Sequence, residues 1–454
     1  MDHSKQLGEG KISSLLLKFS IPAVTGMLVN ALYNVVDTIF VGNGVGPLGI
    51  AGLTIGFPIM LVIMGFAMLV GIGATSLISI RLGQQKKEEA ELIVGNAMIL
   101  LILLSIAISL AGLIFINPIL QLFGASEAVL PYAKDYLSII LWGAVFQSIG
   151  FGMNNFIRAE GSPHTAMYTM LIGAILNTIL DPLFIFGFGW GVKGAAIATI
   201  LSQAVSMIWV LYYFFGKKSL LKIHLKNLKL KAQVVSGIFA IGAAPFAMQI
   251  AASVLTTILN KSLGIYGGDL AISGMGIVNR ITMLVLMPVF GINQGAQPII
   301  GYNYGAGKFD RVKKALILAI SAATVVTVAG FAATRLFPGE LIKLFNQDPV
   351  LIAFGIKALY IYLFFLPVIG FQVVGANYFQ AVGKPKQAAF LSLSRQVVLL
   401  IPALLILPKF FGLDGVLMAG PFSDIVSSVI TGIWLFVELK HLDRKHSESY
   451  TSLE

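Results

Sequence analysis

Two acidic side chains lie in stretches of the sequence that are otherwise apolar enough to cross a bilayer. Asp181 is the only charged residue between Tyr168 and Phe188, and Asp37 is the only acidic residue of the stretch 15–41. An ionised carboxylate in hydrocarbon is costly, so such residues usually face a cavity or a partner. Carboxylate oxygens bind hard cations such as Na⁺, and two neighbouring carboxyl groups can share a proton. The two aspartates therefore indicate an ion-binding site.

Further polar side chains accompany the aspartates at helical spacing, three, four or seven residues apart within each apolar stretch. They are Asn30, Tyr33 and Asn34 with Asp37; Asn177 with Asp181; Thr199 with Gln203; and Gln147 with Asn154, with Tyr136 nearer the outer end of that stretch. For the amides Asn30, Asn34, Gln147 and Gln203 taken singly, a helix–helix hydrogen bond is the favoured interpretation. The aspartates have no nearby basic residue in their own stretches, which favours an ion site; Asp424 is interpreted as structural. Pro182 lacks a backbone N–H and predicts a bend beside Asp181.

The composition predicts a polytopic membrane protein. The 454 residues are 57% hydrophobic and only 11% charged, and the mean hydropathy is +0.89, values above those of water-soluble domains. There is no cysteine and the five histidines are scattered, which argues against disulfides and a zinc cluster. The sequence contains no Gly-rich loop followed by Lys-Ser/Thr, the motif that binds the phosphates of a nucleotide. We therefore expect neither an enzyme nor a cofactor, apart from a coupling ion.

Twelve apolar stretches are long enough to span a bilayer core, which takes about 20 residues. They lie near 15–41, 48–78, 93–116, 132–157, 166–188, 192–215, 236–260, 270–302, 315–336, 350–380, 387–408 and 413–437. The loops on one side carry few basic residues, namely Lys193, Lys261, Arg335, Lys343 and Lys409. The tails and loops on the other side carry 22 of the 31 basic residues.

This distribution of basic residues places both termini and the central loop in the cytoplasm by the positive-inside rule. The net charge of +11 is therefore explained by membrane topology, and we expect no nucleic-acid partner. The basic linker 216–235 is predicted to lie on anionic membrane lipid. With no cysteine, the chain fits the inner membrane of a prokaryotic cell.

The sequence repeats itself at an offset of 222 residues. LGIAGLTI (48–55) aligns with LAISGMGI (270–277), and 159–163 aligns with 381–385; near the ends the offset becomes 221, where Gly194 pairs with Gly415. Each half holds six stretches, an even number, which predicts parallel repeats about an axis along the membrane normal. We expect an all-α fold of twelve helices in two six-helix repeats enclosing a central cleft.

The predicted organisation is an amino-terminal lobe (1–215), the linker (216–235), a carboxy-terminal lobe (236–440) and a cytoplasmic tail (441–454). Two lobes related in this way are typical of secondary transporters. A duplication for packing alone, as in a channel, is the alternative. However, the aspartates occur in the first half only: Asp37 aligns within one residue with Asn260, and Asp181 aligns with Ala403.

These features resemble the multidrug and toxic compound extrusion (MATE) transporters over nearly the whole chain. The resemblance is carried by the twelve stretches in two repeats, Tyr33-x₃-Asp37, Asn177-x₃-Asp181-Pro182 and the paired Ala-x-Gly-x-Pro segments. It is strongest for the DinF-like branch. The resemblance implies that Asp37 is the main proton- or sodium-binding carboxylate, that Asp181, Asn177 and Thr199 complete the site, and that Tyr33, Tyr136 and Asn154, with Asn34, surround it.

The chain departs from the NorM-like branch, which places acidic ligands in the seventh and tenth spans. Here 236–260 contains no acidic residue and 350–380 contains only Lys357 as a charge. The resemblance therefore predicts a monomeric antiporter that exports organic cations or amphiphiles in exchange for H⁺ or Na⁺ by alternating access.

Two other functions stay open at this stage. A flippase for a lipid-linked sugar or peptidoglycan precursor would use intramembrane basic residues, of which Arg280, Lys357 and Arg395 are the candidates. A channel or non-transporting sensor is the other alternative.

Overall fold

The computed structural model describes residues 5–123, 125–216, 218–345 and 347–451; the side chains at 34, 35, 38, 42, 47, 50, 269 and 444–451 lie outside the described part. The described chain is helical almost throughout. Its helices are α1 (Lys5–Glu9), α2 (Ile12–Val45), α3 (Pro47–Gly83), α4 (Lys87–Ile114), α5 (Ile116–Leu122), α6 (Leu130–Ala159), α7 (Pro163–Pro182), α8 (Gly191–Phe215), α9 (Ala232–Gly305), α10 (Phe309–Leu336), α11 (Pro338–Lys343), α12 (Pro349–Tyr362), α13 (Leu366–Ala381), α14 (Pro385–Leu393) and α15 (Ile401–Thr451). Wide π-helical turns follow α7 (Leu183–Gly187) and α14 (Ser394–Leu400), and a 3₁₀ turn covers Leu225–Leu228.

Two of these helices are too long for one crossing of a bilayer, and each is broken at a glycine. α9 breaks at Gly268, whose φ is 66°, and α15 breaks at Gly412, whose φ is 56°. A positive φ is the left-handed conformation that glycine adopts without steric cost. α12 and α13 are bent by 52° and together form one span. With these breaks, the described residues contain the twelve predicted spans, which confirms the all-α architecture of two six-helix repeats.

The backbone turns repeat at the same offset as the sequence. Of the nine described residues with positive φ, eight form pairs 221 or 222 residues apart: Gly46 and Gly268, Gln85 and Gly307, Gly161 and Gly383, Gly191 and Gly412. Helix ends therefore fall at equivalent places in the two halves.

The helices form two compact units that do not follow the order of the chain. Unit 1 is mainly Thr25–Phe246, and unit 2 comprises Gly8–Val24 with Ala247–Glu454. The first part of α2 therefore belongs with the second half of the sequence, and the first part of α9 belongs with the first half. The lobes expected from the repeat are different: 1–215 contains the first part of α2, and 236–440 contains the first part of α9.

Glycines explain why these segments pack as they do. In unit 1, a Cβ added to Gly73 of α3 would overlap the carbonyl oxygen of Ile238 in α9. In unit 2, a Cβ on Gly295 would lie 2.7 Å from the backbone nitrogen of Ser20 in α2. Gly73 and Gly295 are equivalent in the repeat. In both units, bare glycine lets two helix backbones touch, the close packing that small residues give in membranes.

The basic linker is tied to unit 1 by side chains that bind its backbone. The amide of Asn96 in α4 donates to the carbonyl oxygens of Asn227 (3.0 Å) and Lys229 (3.2 Å) and accepts from the backbone N–H of Lys231 (2.7 Å). An amide can satisfy donors and acceptors together, so this one residue fixes the path of the chain into α9.

Glu160 makes a second tie at the start of the linker. Its Oε2 accepts from the Ser219 hydroxyl (3.0 Å) and the Leu221 N–H (3.1 Å), while Oε1 of Glu91 accepts from the Lys222 N–H (3.1 Å). Burial raises the pKa of Glu160 to about 7. The contact of the linker with membrane lipid stays a prediction.

Replacing Gly73 by alanine is expected to destabilise the protein by about 1–3 kcal/mol, because the new Cβ overlaps backbone that can move only with its helix. Thermal unfolding in detergent micelles measures the effect. Gly276→Ala is the matched control, since a Cβ there meets no atom within 4 Å, and it should leave stability unchanged or raise it by up to about 1 kcal/mol. A Gly73→Ala protein as stable as the control would contradict the packing described.

Candidate functional site

Asn177, Asp181 and Thr199 form one buried polar cluster in unit 1. All three are at most 5% exposed. The Asn177 amide donates to Oδ1 of Asp181 (3.2 Å) and reaches the Thr199 hydroxyl of α8 (3.5 Å). The Thr199 hydroxyl in turn donates to the Ala195 carbonyl (2.9 Å). The structure thus brings together residues from two spans that the sequence assigned to one site.

Local backbone features bring the two helices into this contact. α7 ends at Pro182 and continues as the π-helical turn Leu183–Gly187, so the predicted bend beside Asp181 is a change of helix type. π-Helical turns are rare and often occur at functional sites. A Cβ on Gly194 of α8 would lie 2.8 Å from the carbonyl group of Phe184. Glycine at 194 therefore lets α8 touch this turn, which places Thr199 beside Asn177.

Asp37 of α2 joins the cluster through Asp181. The two carboxyl groups are close enough to hydrogen-bond to each other. Oδ1 of Asp37 and Oδ2 of Asp181 are buried and receive no hydrogen bond from any described donor. Two carboxyl groups can form a hydrogen bond only when one of them carries a proton. Such a pair can share one proton.

The oxygen atoms around the pair also fit a sodium ion. Oδ1 of Asn177 is a third buried oxygen without a described donor, and the Thr199 hydroxyl lies on the other side of the same amide. Carboxylate, amide and hydroxyl oxygens are suitable ligands for a hard cation. No group of three or more His, Cys, Asp or Glu residues suited to a metal occurs in the described part of the chain.

Of the residues predicted to surround the aspartate pair, all except Asn34 lie near the pair or line the cavity beside it. Tyr33 interacts electrostatically with both aspartates. Tyr136, in α6, also interacts electrostatically with both aspartates. Asn154 lines the same cavity as Asn177 and Thr199, and its buried amide oxygen has no described donor. The side chain of Asn34 lies outside the described residues.

A cavity of about 170 Å³ opens beside this cluster within unit 1. Its lining contains the polar side chains Asn30, Tyr33, Gln147, Asn154, Thr169, Asn177, Thr199, Ser202, Gln203 and Ser206, and the apolar side chains Met64, Ala67, Phe146, Phe151, Met170 and Ala174. Asn177 and Thr199 belong to both the cavity wall and the aspartate cluster. The ion site and the cavity are therefore joined by these two side chains.

Part of this lining was missed by the sequence reasoning. Ser202 and Ser206 continue the spacing of Thr199 and Gln203 by three and four residues, so periodicity could have found them. Met64 and Met170 had no such signal, because apolar side chains facing a cavity and those facing lipid look alike in sequence. A thioether lining suits varied ligands because methionine repacks easily.

Comparison with known proteins agrees with the sequence repeat. The family model MatE matches residues 22–183 and again 245–405. The chain is 28% identical to the multidrug export protein MepA of Staphylococcus haemolyticus over 422 residues, which is 93% of each protein. It is 29% identical to MepA of Staphylococcus aureus over 404 residues, which is 88% of each.

Solved structures are similar over almost the full length. The MATE multidrug transporter DinF-BH, determined as a complex with a ligand, is 44% identical, with a TM-score of 0.89 over 94% of this chain and 96% of that one. A MATE protein in complex with MaL6 is 28% identical, with a TM-score of 0.92 over 97% of this chain and 99% of that one. The 44% identity confirms the resemblance to DinF-like members.

Replacing Asn177 by alanine is expected to destabilise the protein by about 1–3 kcal/mol, because the buried Oδ1 of Asp181 loses its donor. Thr178→Val is the control one residue along, since the Thr178 hydroxyl bonds only to the Ala174 carbonyl of its own helix (2.9 Å). The control should cost less than about 1 kcal/mol. Thermal unfolding of both variants tests this, and equal losses would contradict a specific role for Asn177.

Proposed function

Because the chain belongs to the multidrug and toxic compound extrusion (MATE) family of membrane transporters, we propose that it exports organic cations and other amphiphiles by antiport with H⁺ or Na⁺. The observation that carries this proposal is the link between the Asp37–Asp181 pair and the cavity through Asn177 and Thr199. MepA, a relative at 28–29% identity, is by its name a multidrug exporter.

The charge of the Asp37–Asp181 pair supports the exchange of a cation in the cavity for the coupling ion. A cation bound in the cavity is attracted by the negative charge of the pair and would favour its ionised form. An ion bound to the pair removes that charge and weakens the hold on the cation. Linkage makes this effect reciprocal, so each ligand lowers the affinity for the other by the same factor. The contact between the two carboxyl groups favours H⁺ as the coupling ion, and Na⁺ is the alternative.

Transport also requires that the ion binds unequally to two conformations. Pro182 and the π-helical turn after it lie directly beside Asp181, so a change in the charge of the pair acts on a segment already released from regular α-helical bonding. Pro22, inside α2, is a second position where this helix can bend. We propose that these two prolines are where ion binding changes helix packing during alternating access.

The membrane placement follows from the charge distribution. We propose that the chain lies in the inner membrane as a monomer, with both termini and 216–235 in the cytoplasm and with anionic lipid as a neighbour of the basic linker.

The flippase alternative is less well supported. The described lining of the cavity in unit 1 contains no Lys or Arg that could bind a pyrophosphate. Of the three intramembrane basic residues, Lys357 is paired with Asp414 (2.5 Å) and Arg395 with Asp424 (2.7 Å), while Arg280 is exposed.

Purified protein in proteoliposomes, given the cationic dye rhodamine 123, tests the proposal with a pH gradient and a sodium gradient imposed separately. One gradient should drive dye transport by the wild type, and Asp37→Asn should reduce that transport about tenfold or more, because the variant lacks one of the two carboxyl groups that hold the coupling ion in the proposed cycle.

Asp135→Asn is the matched control. Asp135 is half-exposed and forms only a surface ion pair with Lys193 at 3.4 Å, so transport should be unchanged. Wild-type rates from Asp37→Asn would refute the assignment of the coupling site. Failure of both gradients to move the dye in the wild type would refute the antiporter itself.

A further inference from the structure

Unit 2 contains a buried ion pair that the proposed antiport cycle does not use. Nε of Arg395 donates to Oδ1 of Asp424 at 2.7 Å, and the Asp424 side chain is 3% exposed. Arg395 lies in the π-helical turn Ser394–Leu400, and Asp424 lies in α15. The sequence alone suggested a structural role for Asp424.

The guanidinium of Arg395 uses only part of its bonding capacity. Arginine carries five N–H donors, and Asp424 engages the one on Nε. In the described part of the chain no acceptor is bonded to either terminal nitrogen, although a quarter of the side chain is exposed. Charged groups inside a membrane span usually face a cavity or the bundle interior. The open edge of this guanidinium is therefore available to an oxyanion from outside the chain.

The internal repeat relates Arg395 and Asp424 to residues of unit 1. At an offset of 221 residues, Asp424 is equivalent to Gln203; Arg395 is equivalent to Ala174 at 221 and to Gly173 at 222. All three of these first-half residues line the cavity of unit 1. Unit 2 therefore carries a guanidinium at the place where unit 1 has small side chains around a cavity suited to cations.

We propose that Arg395 binds the carboxylate of a zwitterionic amphiphile at a second site, in unit 2. The two terminal nitrogens of a guanidinium match the two oxygens of a carboxylate in a bidentate pair. Asp424 holds the guanidinium by Nε and makes the empty site neutral. A bound carboxylate adds one negative charge, which a positive group on the same solute offsets. The Tyr362 ring of α12 lies near both charges, where its hydroxyl can donate to the same oxyanion.

This proposal goes beyond export of cations, and a matched pair of dyes tests it separately. Rhodamine 110 has a free carboxylate, and rhodamine 123 is its methyl ester. Binding of each dye is measured by fluorescence anisotropy on protein in dodecyl maltoside, a detergent without phosphate. Wild type is compared with the double variant Arg395→Gln/Asp424→Asn, whose two amides can keep a neutral hydrogen bond and the fold.

The double variant should bind rhodamine 110 about tenfold or more weakly, the loss expected for charged hydrogen bonds, and rhodamine 123 within about twofold of wild type. Arg395→Lys, which keeps the charge without the planar fork, should also weaken rhodamine 110 binding. Lys357→Gln/Asp414→Asn removes a different ion pair of unit 2 and should change neither dye. Equal binding of rhodamine 110 by wild type and the Arg395 variants would overturn the proposal.

Phosphatidylglycerol added to the micelles distinguishes a solute carboxylate from a lipid phosphate. Rhodamine 110 that stays bound supports the solute, whereas displacement by the lipid that depends on Arg395 would overturn the assignment to a solute. Gradient-driven transport of rhodamine 123 by Arg395→Gln/Asp424→Asn distinguishes the two proposals. If this variant still transports the dye, the antiporter proposal stands independently of the carboxylate site at Arg395.

Discussion

The structure depends on the burial of two carboxyl groups next to each other. Two like charges in a low-dielectric interior repel strongly, and each also loses its hydration. Asp37 and Asp181 therefore require a neutralising ion, and no described basic side chain forms an ion pair with either. Under the proposed function, this pair is the site where the coupling ion is exchanged.

The residues around the aspartate pair connect it with the cavity of unit 1. Asn177 holds one oxygen of Asp181 and reaches Thr199, and both Asn177 and Thr199 face the cavity. The π-helical turn after Pro182 and the bare surface of Gly194 hold α7 and α8 in this contact. In the proposed cycle, a change of ion at the pair would act on side chains that line the cavity and on the π-helical turn that follows α7. Arg395 and Asp424 in unit 2 show the opposite solution, in which a carboxylate is neutralised by a fixed cation of the chain.

Much of this arrangement follows from the sequence, for identifiable reasons. Hydropathy predicts the twelve spans because a bilayer sets their length, and helical spacing predicts that Asn177 and Asp181 share a face. The contact between Asp37 and Asp181 is long-range; the isolated aspartates and the family resemblance indicated it, whereas residue spacing could not. The pairing of α3 with the first part of α9 was not predictable, since Gly73 looks like any other glycine of a membrane helix. The cavity lining of Met64 and Phe146 escaped for a similar reason, because hydropathy does not distinguish lipid from cavity.

Proton release on cation binding tests the central claim most directly. Purified protein in weakly buffered detergent solution, with a pH indicator, is titrated with rhodamine 123 to saturation, for the wild type and for Asp37→Asn/Asp181→Asn. If the cavity and the aspartate pair exchange a cation for a shared proton, the wild type should release up to about one proton per dye bound, and the double variant none. Saturable binding to the wild type without proton release, or equal release from the double variant, would contradict proton exchange at this pair.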